Sequence, residues 1–316
     1  MPALRLHILS DLHIERDPHF RPPPVAADIL VLAGDIRSGS GGLAAFAGHP
    51  TPVIYVPGNH EYYDSDYKTM RPHLRVAAAH YGVHLLDSDE WVTGGVRFLG
   101  ATLWTDFRLY GEERLPTAIA HALRRVVDFR TIQIDGRPLV PQDTIAFNAD
   151  ALRWLGERLD APISGPTVVV THHAPHPLSV HTRWQDNPVN LAFVSDFSRL
   201  MGKAALWIHA RFVRLRGCRD TRCLQSKGLW DREQSVPSRL GGDRVSGGFW
   251  TAARLIERLN PRLGAPEDKR MDVMRALQRV DRLHVQHVAD HVVFVRNAVA
   301  AVDVAGGTCD FERLAG

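Results

Sequence analysis

An α/β layered fold is what this sequence predicts, and three observations carry the prediction. Through the first two hundred residues, short apolar runs alternate with stretches whose apolar positions recur at three and four. Several of the apolar runs are too continuous for a sheet with one wet face, so both faces of those strands should be covered. At 45% hydrophobic and 23% charged, the 316-residue chain can bury one large core or two small ones. Disorder, collagen and coiled coil are excluded as descriptions of the whole.

The elements follow in order. Strands are expected at residues 4–9, 28–33, 53–56, 83–86, 96–103, 167–170 and 206–208, each a short run rich in Val, Ile and Leu. Helices are expected over 66–80, 116–127, 144–159 and around 192–202, where apolar residues return with the helical period. Segments 21–24, 135–138 and 165–166, with their prolines and glycines, read as turns or loops.

After His209 the texture changes. Residues 210–245 have no period of two or 3.6 and contain nine basic and four acidic residues, so this one segment carries the basic excess of a chain whose net charge is only +3. From 251 to 291 a helical period returns, broken at 261–266, and one or two amphipathic helices are expected there. The chain therefore divides into a domain at 1–209 and an atypical region at 210–316, and no internal repeat is visible. The Arg-rich segment has few aromatics and matches no nucleic-acid module, so a nucleic-acid partner is not expected. No apolar stretch is long enough to span a membrane, no secretion signal opens the chain, and three cysteines, all beyond residue 209, make no disulfide framework. A cytoplasmic location is the expectation.

Four polar clusters follow expected strands: Asp11-Leu12-His13, Gly34-Asp35, Gly58-Asn59-His60-Glu61 and Thr171-His172-His173. In open α/β sheets the carboxyl ends of strands share one rim, and ligands bind there. Residues 160 positions apart can thus meet. Asp, Asn and neutral His suit Mn, Fe, Zn, Co or Ni, whereas a set of thiolates would point to structural zinc. Asp35 is the natural bridge, because a carboxylate has two oxygens to share. Gly34 and Gly58 let the backbone turn sharply before a ligand, where φ is expected to be positive.

In these motifs the sequence resembles the calcineurin-like metallophosphoesterases, whose pattern runs D-x-H, G-D, G-N-H-D/E, a His after a strand, and G-H-x-H. The resemblance implies a four-layer αββα sandwich of two facing sheets flanked by helices. It implies two divalent metal ions, one held by Asp11 and His13, the other by Asn59 and His172, with Asp35 between them. His60, oriented by Glu61, would protonate the leaving oxygen of a small phosphoester while a metal-activated water attacks phosphorus. His173 beside Asn59 and His60 is a candidate for substrate contact, and His176, Tyr62, Tyr63 and Trp104 are candidates for the rim, with core packing the competing reading.

The resemblance stops after His209, where Ala210-Arg211-Phe212 stands in place of G-H-x-H. Each metal loses an imidazole by that departure, so impaired activity is implied, and a non-catalytic remnant acting by binding is the alternative. The last sheet strands, which the family supplies after this motif, are expected to be missing, leaving an incomplete sheet with an exposed edge. Back-translated and read one nucleotide later, residues 210 onward can yield a stretch like that which follows G-H-x-H in relatives, which points to a frameshift. His284, His287 and His291 lie at helical spacing, the pattern of a surface helix rather than of a metal face.

Overall fold

The computed structural model describes residues 4–22, 24–180, 185–210, 293–294, 297–302 and 309–312, the last three stretches by backbone alone. The first half runs β1 (Leu4–Leu9), β2 (Ile29–Ala33), α1 (Gly41–Ala45), β3 (Val53–Val56), β4 (Ser65–Asp66), α2 (Tyr67–Tyr81), β5 (His84–Leu85), β6 (Asp89–Thr93) and β7 (Val96–Ala101). It continues with α3 (Leu115–Arg125), α4 (Asp128–Thr131), β8 (Ile132–Ile134), β9 (Arg137–Pro138), α5 (Pro141–Asp160), β10 (Thr167–Thr171), α6 (Ser198–Met201) and β11 (Leu206–His209). Beyond it lie β12 (Val293–Phe294), β13 (Asn297–Val302) and β14 (Cys309–Glu312).

Two large sheets form, one in the order β14-β13-β1-β2-β3-β5 and the other in the order β12-β11-β10-β7-β6. Their central strands are parallel. Alternation along these strands divides the side chains between two surfaces. Leu6, Ile8, Val31, Ile54 and Val56 of the first sheet pack against Phe98, Val168, Val170 and Ile208 of the second, which makes the space between the sheets a dry core. On the outer face of the first sheet, Leu30, Leu32, Val53 and Tyr55 meet Leu43 of α1 and Leu74 and Ala78 of α2. On the outer face of the second, Leu99, Val169 and Trp207 meet Ala151, Leu155 and Leu159 of α5. The mixed α/β fold therefore has the four layers the resemblance implies.

The element boundaries shift where local chemistry sets them. Asp66 accepts a hydrogen bond from Lys68 N at 2.9 Å and caps α2. The helix expected around 192–202 is only the four residues of α6, preceded by a 3-10 turn at Pro188–Ala192. The strand expected at 83–86 is reduced to the two residues of β5.

At the C-terminal end the expectation of missing strands is corrected. β13 pairs antiparallel with β1 over its whole length, β14 pairs with β13, and β12 runs parallel to β11. The backbone groups on the free side of β1 are thus joined to a ladder instead of left as an open edge. The helices expected over 251–291, the irregular segment 210–245 beyond Ala210, and His284, His287 and His291 lie outside the described residues. Among the described residues no helix is long and apolar enough to cross a membrane.

Candidate metal centre

The rim of the first sheet is built by extending its ladder past the strands. Asp11 N donates to the Gly34 carbonyl at 3.0 Å, His13 N to that of Asp35 at 3.1 Å, and Ile14 N to that of Ile36 at 2.9 Å. Asp11, His13 and Asp35 all have positive φ, at 50°, 46° and 56°. Three non-glycine residues in that region on adjacent turns mark stored backbone strain of the kind found at functional sites. The donor atoms of these same three side chains lie within 4.8 Å of one another.

His172 closes the rim from the second sheet, directly after β10. Its Nδ1 lies 3.1 Å from the Ala33 carbonyl, and its Nε2 lies 3.0 Å from Asn59 Oδ1 and 3.3 Å from Asp35 Oδ1. Both ring nitrogens face oxygen acceptors, beside a carboxylate with no solvent exposure. A divalent cation bound there would have Nε2 and these same oxygens within reach as ligands. The donors therefore fit the implied metals: Asp11, His13 and Asp35 as one set, Asp35, Asn59 and His172 as the other.

Glycines make the convergence possible. A Cβ on Gly34 would lie 2.6 Å from His172 Cγ, and one on Gly58 would lie 2.8 Å from His172 Cε1 and collide with the Asp35 carboxylate. Gly34 has φ +88°, as expected. Gly58 has no such conformation; close approach, not backbone turn, is what requires it.

His60 sits at the mouth, its Nε2 3.7 Å from Asp35 Oδ2 and its backbone N donating to Asp35 Oδ1 at 3.0 Å. Its ring stacks on Tyr63 at 4.0 Å and meets His13 edge-on at 4.5 Å. Glu61 does not orient it, and that expectation is corrected. The Glu61 carboxylate accepts from the backbone N–H groups of Asp35, Ile36 and Gly58 at 3.1, 2.8 and 2.8 Å and from the Tyr55 hydroxyl at 2.7 Å. It ties two rim loops together, and burial together with the Asp35 charge pushes its carboxyl above the usual range.

Of the remaining expected residues, Tyr63 reaches the site, whereas Tyr62 and Trp104 are buried in the core. His173 is 1% exposed, with Nδ1 at 3.1 Å from the Thr102 carbonyl and its ring stacked near Trp104. His176 caps a 3-10 turn by accepting from Leu178 N. Two residues that sequence reasoning missed also belong here. Glu15 Oε1 lies 3.5 Å from His13 Nδ1. Burial lowers the His13 pKa, but Glu15, Asp35 and Asp11 outweigh it and hold the imidazole above its ordinary value. Asp128, on α4, accepts from Asn59 Nδ2 at 2.8 Å and from the Tyr63 hydroxyl at 2.7 Å. Glu15 was two places beyond His13 and open to suspicion; nothing in the sequence points to Asp128.

The profile of the calcineurin-like phosphoesterase family matches residues 4–210. The uncharacterized protein L509 of Acanthamoeba polyphaga mimivirus is 24% identical over 239 residues, 65% of this chain and 82% of that protein. Among solved structures, a phosphopantetheinyl hydrolase from Mycobacterium tuberculosis superposes with a TM-score of 0.52 at 17% identity, over 68% of this chain and 85% of that one.

Proposed function

The chain belongs to the calcineurin-like phosphoesterase family, and on that premise we propose that it hydrolyses small phosphate mono- or diesters at the rim where Asp11, His13, Asp35, Asn59 and His172 meet. The observation that carries the proposal is the approach of Asn59 Oδ1 and Asp35 Oδ1 to His172 Nε2, beside the Asp11, His13 and Asp35 cluster. Two divalent ions, Mn, Fe, Zn, Co or Ni by the donor set, would supply Lewis-acid polarisation of the phosphoryl oxygens and a nucleophile drawn from water at neutral pH.

The chain's own residues do the rest. Asp35, fully buried, would be shared between the two ligand sets, since a carboxylate has two oxygens. His60 stands at the mouth, where it would give a proton to the departing oxygen as the ester P–O bond breaks and the oxygen of a water that has released one proton to solvent joins phosphorus, His60 then regaining a proton from solvent. Tyr63 backs the His60 ring and keeps it from swinging to solvent. Asn59 and His60 are the residues proposed to meet the substrate. The burial of His173 gives it the role of packing behind His172.

Neither His of the family's last motif is present after His209, so metal affinity and turnover fall below those of an intact relative. The same absence favours the second reading, a remnant that binds without turning over. Hydrolysis of bis(p-nitrophenyl) phosphate, with and without manganese and beside Asp35→Asn, separates the two. Metal-dependent turnover that drops about a hundredfold or more in the variant supports the enzyme. Absence of turnover at saturating manganese leaves the remnant.

A further inference from the structure

We propose that Asp128 is a positioning residue that sets the orientation of the Asn59 amide and, through Tyr63, the seat of His60. The inference rests on the reading of Asn59 and His60 given above. The two ends of an asparagine amide have nearly the same shape, so nothing in Asn59 itself decides which end faces the rim. Its neighbour decides. An aspartate oxygen accepts hydrogen bonds, and Asp128 Oδ1 lies 2.8 Å from Asn59 Nδ2. With the NH2 held there, the amide oxygen is left facing His172 Nε2 at 3.0 Å. The reverse orientation would set two oxygens against each other at Asp128 and aim N–H groups, which cannot ligate a cation, at the rim.

The same Oδ1 receives the Tyr63 hydroxyl at 2.7 Å, and that hydroxyl is also 3.3 Å from Asn59 Nδ2. Tyr63 in turn stacks on His60 with the ring planes 24° apart. One buried carboxylate oxygen thus anchors a ligand on one side and the back of the acid on the other. The fold delivers it there by pairing β8 with β4: Ser65 is in register with Ile132, and Asp64 N donates to the Thr131 carbonyl at 3.0 Å. That pairing brings the start of α4 under Tyr63, though Asp128 is 69 residues from Asn59 along the chain.

The test begins with metal-free protein. In nitrogen-15 spectra, the Asn59 side-chain NH2 pair is assigned by its disappearance in Asn59→Ser. One of its protons is expected to be shifted downfield and to exchange at least about tenfold more slowly than in an exposed asparagine. Asp128→Leu, which leaves no acceptor, should abolish that protection and weaken manganese binding about tenfold or more, whereas Tyr63→Phe should leave manganese affinity nearly unchanged and lower kcat with KM held. Rapid exchange of both wild-type protons overturns the proposal, as does an Asp128→Leu protein that binds manganese like the wild type. Should Asp128→Leu not fold, the wild-type exchange rate decides alone. A wild type that keeps the protected amide but takes up none of manganese, iron, zinc, cobalt or nickel sinks the phosphoesterase reading and leaves the Asp128 and Asn59 pairing standing.

Discussion

Gly58 shows how tightly the rim is packed at the scale of one residue. A methyl group there would lie 2.6 Å from the Asp35 backbone nitrogen, so neither the loop nor the ligand has room to yield. Gly58→Ala is expected to destabilise the fold by about 1–3 kcal/mol and to weaken metal binding, as read by urea denaturation and by manganese titration. His209 makes a different kind of prediction. It is fully buried at the end of β11, with Nδ1 2.9 Å from the Ala210 carbonyl and Nε2 3.3 Å from Ser179 Oγ. Burial lowers its pKa from 6.5 to about 4. The unfolded chain therefore takes up the proton at higher pH than the folded one, and stability falls as the pH drops from 6.5 towards 4. The loss is about 3 kcal/mol at most, and a His209→Gln chain should show a shallower decline in urea midpoint across that window. Equal slopes in the two proteins would reject the assignment.

Elements with a strong period were legible from sequence, and those that owe their form to partners were not. The runs at β2, β3, β10 and β11 are apolar on both faces because helices cover one side and the opposite sheet the other. β6 escaped notice because DEWVT is half-exposed and takes strand form only by pairing with β7. β4, β8 and β9 are two or three residues each, too short for any periodic signal. β13 escaped for a related reason: Asn297–Val302 becomes a strand beside β1, and its placement depends on a partner nearly three hundred residues away. Ala300 is in register with Leu6. Ala300→Pro should break that ladder, lower the melting temperature and raise aggregation measured by light scattering, since the free side of β1 would again be open. A variant that melts and scatters like the wild type would mean that β13 adds nothing to the sheet.

For the whole molecule, the main departure from the family pattern is the absence of G-H-x-H after His209. On the proposed two-metal reading, inserting Gly-His-Thr-His at that point is expected to tighten manganese binding and raise turnover about tenfold or more, because each proposed ligand set would gain an imidazole. No gain on insertion would count against the proposal that the missing motif limits activity. Sequencing the gene across codons 205–250 should reveal a G-H-x-H-like frame on the other reading, and its absence would remove the frameshift explanation. By itself the sequence determined the layered α/β class and the residues gathered at the strand ends, because period, glycine placement and ligand chemistry are local and recur in the chain's own order. Tertiary structure alone decided that Glu61 ties loops instead of steering His60, that His173 is buried, and that Asp128 stands behind Asn59. Those outcomes depend on which groups lie within about 3 Å after folding, and hydrogen bonds over that range leave no periodic mark on the chain.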